Sequence, residues 1–243
     1  LAVGARAVIW TTTPWTIPVN QALAYGPSLD YLLVRPGGAA HPVLVAEPLL
    51  PAFLKRAGHD GFEFIALIKG SALAGAVARH PMHALGGFFA RPRPFLPGDF
   101  VTTDTGTGLV HMAPDHGEDD FLLCKAHGLD PVFAVTDGGF YRDDWEWLAG
   151  QGSVIAPKLN APEGSICTDL REAGALVAAS ADYKHSYPHS WRSKAKVIFR
   201  CTPQWFIPMD RPIKDTAIPR CAEEEAILAR QSNAATLRET ALD

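Results

Sequence analysis

The densest set of reactive side chains lies in TTDTGTGLVHMAPDHGEDDF, residues 102–121. The pattern predicts a strand that delivers His111, a turn through Pro114 and Asp115, and a helix carrying His116, Glu118, Asp119 and Asp120. Just upstream, Gly106 and Gly108 bracket Thr107 and would let backbone come close to a ligand. Two kinds of site fit. His111, His116 and Asp119 or Asp120 could supply nitrogen and oxygen ligands to a metal ion. The spacing matches no H-E-x-x-H pattern, so a metal-free polar site ranks above it. Some of the acids also have a plainer use. Asp115 suits a helix N-cap and Glu118 the first turn, where carboxylates complement the dipole.

A second stretch, IWTTTPWTIPVN, spans residues 9–20. Thr11, Thr12 and Thr13 are expected on a strand, with hydroxyls on both faces, until Pro14 removes a ladder donor and stops it. Such a strand end offers hydroxyls and free backbone groups to a polar ligand, with the Trp15 indole alongside. From these residues alone, a plain edge strand running into a turn is the favoured reading. A third stretch, YKHSYPHSWRSKAKVIFRCTPQW at 183–205, holds five cations and no acid: Lys184, Arg192, Lys194, Lys196 and Arg200. Tyr183, Tyr187, Trp191, Phe199 and Trp205 interleave with them. Phosphates attract the cations and unpaired bases stack on such rings. A solvated basic strand pair with core aromatics is the competing reading. Signatures of covalent serine catalysis, of a Walker A loop and of a dinucleotide-binding turn are all missing.

The elements that must hold these stretches are short. Strand-like runs cover 5–13, 31–35, 42–46, 62–69, 108–112, 131–135 and 197–201, rich in β-branched and aromatic residues. Helix-like runs cover 48–57, 118–127, 165–173 and 223–242. The first three each end at a glycine, Gly58, Gly128 and Gly174, suited to a left-handed cap. Residues 90–99, ARPRPFLPGD, read as a surface loop. The sum is a β-rich α+β fold without regular β-α-β alternation.

Composition agrees. The chain has 243 residues, 47% hydrophobic and 20% charged, with a net charge of −4. That excludes wholesale disorder and collagen-like repetition. No apolar run approaches the roughly 20 residues that span a bilayer. The four cysteines, at 124, 167, 201 and 221, form no C-x-x-C pair and read as isolated reduced thiols. Without an initiator Met, and ending in the helical pattern ATLRETALD, the chain reads as a piece of something longer.

Taken in order and at these separations, IWTTTPWTIPVN, TTDTGTGLVHMAPDHGEDDF and HSYPHSWRSKAKVIFRCTPQWF resemble the isoleucyl-tRNA synthetases. The resemblance is to the editing domain inserted into their catalytic domain, and it is anchored at both ends of residues 9–206. Valyl and leucyl relatives typically carry Thr-Thr-Arg-Pro where this chain has Thr12, Thr13 and Pro14. The ATP-site signatures HIGH and KMSKS are absent, so no aminoacylation is expected from these 243 residues. The resemblance implies a β-barrel-like editing domain with peripheral helices at 1–205. It implies a return segment toward the catalytic nucleotide-binding domain at 206–243.

It further implies hydrolysis of mischarged Val-tRNA(Ile) to valine and tRNA by a bound water. One methylene is worth little in an apolar pocket, and isoleucine against valine is the standard illustration of that limit. A second, smaller site can then remove what the first admits. Asp120 matches the aspartate that holds the substrate's α-ammonium. His111 matches the histidine that limits the amino-acid pocket, and Trp15 an apolar wall. Thr11, Thr12 and Thr13 match the threonines that contact substrate and terminal adenosine, and Asn20 a position linked to editing. Thr hydroxyls and backbone N–H groups near Gly106 and Gly108 are the candidate oxyanion donors. Asp115 stands where many members have Gly. No cofactor is implied for this domain; ATP and Mg2+ serve the parent enzyme outside this chain. The implied partners are the tRNA(Ile) acceptor end, held by the basic stretch, and the rest of the parent synthetase, with no membrane and a cytoplasmic setting. Two rivals stay open: a tRNA acceptor-end binding module inactive without the full enzyme, and a metal-dependent hydrolase using His111, His116 and Asp120.

Overall fold

Eight short strands pair into two mixed sheets in the computed structural model, which describes residues 4–207, 209, 210, 236 and 238. In chain order they are β1 (Arg6–Ala7), β2 (Ala22–Tyr25), β3 (Asp30–Pro36), β4 (Val43–Ala46), β5 (Phe62–Lys69), β6 (Val77–Ala78), β7 (Arg93–Pro97) and β8 (Leu109–Met112). One four-stranded sheet runs β1-β4-β3-β5 and the other β6-β7-β2-β8. The helices are α1 (Leu50–Ala57), α2 (Glu118–Ala126), α3 (Pro157–Asn160) and α4 (Ser165–Glu172). This is the β-rich α+β fold expected. The strands form two separate sheets, with no closed barrel among the described residues.

The first sheet follows the apolar pattern closely. β3 pairs antiparallel with β4, Tyr31 opposite Ala46 and Val34 opposite Val43. All four β4 residues are buried, as an interior strand of β-branched and small residues requires. Tyr31 ties the two sheets together. Its hydroxyl donates to the Gly108 carbonyl at 2.7 Å and accepts from the Gly26 N–H at 2.9 Å. Gly108 must be glycine for two reasons: its φ is +77°, and a Cβ there would lie 2.3 Å from the Ala46 Cβ. Gly108→Ala is therefore expected to cost about 2–4 kcal/mol of stability, from left-handed strain plus overpacking. A urea midpoint equal to wild type would show that the sheets do not need this close approach.

The second sheet positions the chemistry. β2 lies between β7 (parallel) and β8 (antiparallel), with Leu23 opposite both Phe95 and His111. Neither β2 nor β7 stood out in the sequence. Residues 90–99 are no surface loop: Arg93–Pro97 forms β7, and Arg93 is buried, its guanidinium capped by the Phe88 and Arg91 carbonyls. The prolines disguise it because Pro94 sits where no donor is needed, while the neighbouring Phe95 N–H bonds to the Ala76 carbonyl.

The predicted strand 5–13 also shrinks, to the two residues of β1. Pro14 instead opens a 3-10 helix, Pro14–Val19, as its fixed φ and missing N–H allow. That helix packs Trp15 and Val19 into an aromatic core with Phe88, Phe89, Trp145 and Trp147. α4 closes this core with Ile166 and Leu170. Residues 131–135 and 197–201 form no strands; isolated bridges join Val135 to Tyr141 and His189 to Lys196. The helix expected at 223–242, and Cys221, fall outside the described residues. The chain divides into two units, Leu1–Cys201 and Thr202–Asp243, the second holding an ion pair between Arg238 and Asp210.

Candidate functional site

A cavity of about 290 Å³ opens where the Pro14–Val19 helix, the end of β8 and the start of α2 meet. Trp10, Thr11, Thr12, Thr13 and Thr16 line one side; Val110, His111, Ala113, His116, Gly117 and Asp120 line the other. Two stretches singled out in the sequence, about a hundred residues apart, thus meet in one place.

The threonines reach the cavity from an irregular turn, not from a strand. The Thr13 N–H donates to the Thr11 hydroxyl oxygen at 3.0 Å, and those two hydroxyls lie 3.3 Å apart. Such local bonds compete with strand pairing. The Thr12 hydroxyl has no partner among the described residues. The turn is anchored from behind at Trp15. Its N–H donates to the Asn160 side-chain oxygen at 3.0 Å and its carbonyl accepts from the Tyr141 hydroxyl at 2.5 Å.

His111 is locked by counting donors. The Thr16 hydroxyl has one proton, which goes to the Thr13 carbonyl at 2.9 Å. The His111 Nε2–H must then donate to the Thr16 oxygen at 2.8 Å, leaving Nδ1 to accept from the Asn20 amide at 3.4 Å. The second Asn20 amide proton goes to the Ala22 carbonyl at 2.8 Å. Burial, with His116 nearby, pushes the His111 pKa down to about 4. The ring is neutral at physiological pH and both nitrogens are committed. It forms a fixed polar wall and has no free lone pair for a base.

Asp120 is the third residue of α2, beside Glu118 and Asp119 in the first turn. Its Oδ2 accepts the Ala113 N–H at 2.7 Å, tying the end of β8 to the helix. Burial, with Asp119 adding repulsion, raises its pKa to about 6 against the opposing pull of the Ala113 N–H. No Lys or Arg among the described residues pairs with it. A desolvated carboxylate without a counter-charge, facing a cavity, is a place for a ligand cation.

Asp115 and His116 do something the sequence did not suggest. Asp115 is no N-cap; that position is Gly117. The Asp115 side chain is buried instead, and its Oδ1 accepts the Cys201 N–H at 2.9 Å. The His116 Nδ1–H donates to the Phe199 carbonyl at 2.7 Å, and its ring meets Trp15 edge-on at 4.7 Å. The His116 Nε2 and Asp115 Oδ2 face each other at 3.8 Å, both buried and both without a hydrogen-bond partner. Burial raises the Asp115 pKa and lowers that of His116. Together they clamp residues 199–201 behind the cavity.

The remaining expected residues scatter. Trp15 is buried behind His116, and Trp10 supplies the indole at the cavity instead. Asn20 acts through His111. Gly106 and Gly108 lie outside the lining; Gly106 serves a left-handed turn with φ +84°, and Gly108 leaves room for Ala46. Among the cations, Arg200 is paired with Asp137, Arg192 lies over the exposed Trp191 ring at 5.0 Å, and Lys196 lies over Tyr187 at 5.4 Å. Lys184 and Lys194 are exposed, Lys194 in a left-handed turn with φ +59°. All five lie within residues 184–200. Among the described residues, no three His, Cys, Asp or Glu side chains are arranged to hold a metal ion, and no helix is long and apolar enough to cross a membrane. Trp10, Thr16 and Gly117 went unnoticed. Thr16 was findable, because a proline-started helical turn at Pro14 would bring it back beside Thr13.

The chain is 61% identical over 241 residues to an isoleucine--tRNA ligase of Zymomonas mobilis subsp. mobilis, an alignment covering 99% of this chain and 24% of that protein. It is 44% identical over 228 residues to the isoleucine--tRNA ligase of Gluconobacter oxydans, covering 87% of this chain and 23% of that protein. The chain therefore spans about a quarter of the length of these relatives. No protein-family model matches it. Among solved structures, the crystal structure of GlLeuRS-CP1 superposes with a TM-score of 0.55 at 18% identity, covering 74% of this chain and 85% of that one, and so shares its fold.

Proposed function

The chain belongs to the isoleucine--tRNA ligase family, of whose length it spans about a quarter, and we propose that it carries out hydrolytic editing there, cleaving Val-tRNA(Ile) to valine and tRNA. The observation that carries this reading is Asp120: a carboxylate desolvated at the cavity, with no cation of its own, across from the threonine turn. An aminoacyl ester brings the matching group, an α-ammonium. With that ammonium on Asp120, the amino-acid side chain faces the His111 wall and the ester carbonyl faces the threonine hydroxyls.

A water then adds to the carbonyl carbon. The carbon–oxygen π electrons move to the oxygen, which Thr11, Thr12 and Thr13 can meet with hydroxyl donors. Collapse expels the ribose oxygen, which leaves as a hydroxyl with a proton from the attacking water. The ester is already activated, so positioning and oxyanion stabilisation are the chemistry these residues offer. His111, pinned and neutral, serves shape and not proton transfer.

The test is hydrolysis of Val-tRNA(Ile) and Ile-tRNA(Ile) by this chain with EDTA present. Release of valine alone is the expected result. Release from neither, with tRNA binding retained, would leave a binding module that needs the rest of the enzyme. Activity abolished by EDTA and restored by a divalent ion would favour the metal-dependent rival.

The pH profile follows from the same site. Asp120 must be ionised to hold an ammonium, and its pKa lies near 6 because burial raises it. kcat/KM should therefore rise with pH through about 6. It should fall again as the α-amino group loses its proton, at about 8. His111, with a pKa of about 4, titrates below this window. A profile flat between pH 5 and 7 would remove Asp120 as the ammonium anchor.

A further inference from the structure

The threonine turn reaches the cavity at the start of the Pro14–Val19 helix, where the first backbone N–H groups have no partner within the helix. Each can be traced. The Thr13 N–H donates to the Thr11 hydroxyl oxygen at 3.0 Å. Pro14 has no N–H. The Thr16 N–H donates to the Thr13 carbonyl at 3.0 Å and begins the helical pattern. That leaves the Trp15 N–H, and the Thr13 side chain does not cap it. Its partner comes from α3, 145 residues on: the Asn160 side-chain oxygen at 3.0 Å.

Asn160 is itself held. Its Nδ2 donates to the Val154 carbonyl at 2.7 Å and to the Ala156 carbonyl at 3.0 Å. Both amide protons and the amide oxygen are engaged, and a flipped amide would set its oxygen against two carbonyls. α3 is seated by Leu159, fully buried in the aromatic core that also holds Trp15. From the other side, the buried Tyr141 hydroxyl donates to the Trp15 carbonyl at 2.5 Å. Two residues on, the His80 Nε2–H donates to the Ile17 carbonyl at 3.1 Å, with its Nδ1 accepting from the Met82 N–H at 3.0 Å. Three side chains from three distant segments thus grip backbone groups of Trp15 and Ile17. A short 3-10 turn with weak internal bonding, begun by one proline and carrying another at Pro18, needs such outside support.

We propose that Asn160 is a positioning residue for hydrolysis at this cavity: through the Trp15 peptide it sets where the hydroxyls of Thr11, Thr12 and Thr13 stand. The inference rests on the editing reading and adds to it a residue that lies outside the cavity lining. The threonines can steady a forming oxyanion only from a fixed place, because a displacement of about 1 Å costs most of the effect. Pro14 alone separates Thr13 from the gripped residue, so a displaced Trp15 moves the turn. The ammonium anchor Asp120 belongs to α2 and is fixed separately, through the Ala113 N–H. Loss of Asn160 should therefore show in kcat more than in KM.

The experiment is a double-mutant cycle on the 243-residue chain, cleaving Val-tRNA(Ile), between Asn160→Ala and Thr12→Val. Asn160→Ala should lower kcat about 10- to 100-fold with KM within about threefold. In that background Thr12→Val should cost no more than about twofold further, because a misplaced hydroxyl has little left to lose, while the effects of the two changes on the urea midpoint add. Exchange of the Trp15 amide proton should quicken in Asn160→Ala while that of the β2 and β8 amides stays slow. Tyr141→Phe removes one hydroxyl and keeps the packing; it should show the same coupling to Thr12→Val in milder form, and it carries the test if Asn160→Ala fails to fold. Losses in kcat that multiply in full across the cycle, a rise in KM alone, or unchanged Trp15 exchange would each overturn the role. A wild-type chain without deacylase activity would instead remove the editing reading on which the role rests.

Discussion

Asp120→Asn is expected to lower kcat/KM for Val-tRNA(Ile) by at least about 100-fold, the usual consequence of removing one partner of a desolvated charge pair. It should do so in a chain at least as stable as wild type at pH 7. The second expectation follows from linkage. The native carboxyl titrates near 6 because burial raises it, while an unfolded aspartate titrates near 3.9. Between those values the native state holds more protons than the unfolded state. Stability is fully present below about pH 4 and is lost as pH rises through about 6. At neutral pH the ionised Asp120 therefore opposes folding by roughly 2–3 kcal/mol. Asn retains an oxygen to accept the Ala113 N–H, so the bond between β8 and α2 survives. Urea unfolding across pH 4 to 8, beside deacylation at pH 7.5, reads both effects. A variant that lost activity only because it had lost stability would show Asp120 to be structural. A variant that kept its activity would show that the ammonium is held elsewhere. The acid limb of the wild-type pH profile should also vanish from whatever activity remains.

Much of this site was legible because its parts are contiguous in the chain. Thr11, Thr12 and Thr13 form one run, and His111 and Asp120 flank a turn in another, so the family resemblance that marks them could be read from contiguous strings without knowledge of the fold. The expected ends of α1 and α2 also held, since each is set by a local residue: Gly58 takes φ +73° after α1, and Gly128 the same after α2. What was illegible depends on distant partners. Asp115 looked like a helix cap because capping is a local pattern, but its carboxylate belongs to Cys201, 86 residues away. β7 looked like a loop because prolines argue against an interior strand, and only the pairing of Phe95 with Leu23 shows which edge its prolines face. The threonines looked like a strand until Pro14, read as the start of a 3-10 turn, set them on an irregular segment. Trp15 and Trp10 exchanged roles for the same reason, because a helical turn rotates the indole at 15 into the core and leaves the one at 10 by the cavity.

The second large effect concerns selectivity. His111→Ala is expected to admit isoleucine, raising kcat/KM for Ile-tRNA(Ile) relative to Val-tRNA(Ile) by about 10- to 100-fold, the range that one methylene commands in a close-fitting pocket. The argument rests on how rigidly the ring is held. Thr16 and Asn20 grip its two nitrogens, and β8 fixes its backbone opposite Leu23. A side chain with that much support cannot swing aside for a larger ligand, so its edge sets the limit. Removing it enlarges a cavity of about 290 Å³ by the volume of an imidazole, more than isoleucine's extra methylene needs. Stability should fall as well, by about 1–3 kcal/mol, because the Thr16 oxygen loses its donor and one Asn20 proton loses its acceptor. Thr16→Val separates grip from bulk. It keeps the imidazole in place but frees Nε2, so it should loosen rejection of isoleucine less than His111→Ala while leaving cleavage of Val-tRNA(Ile) near wild type. If His111→Ala rejects isoleucine as firmly as the wild type does, the size limit lies elsewhere on the lining, and Trp10 and Val110 become the walls to alter next. If it cleaves both esters slowly and without preference, the ring is needed to place the ester itself. Its part would then be played through the threonine turn, which His111 steadies by way of Thr16.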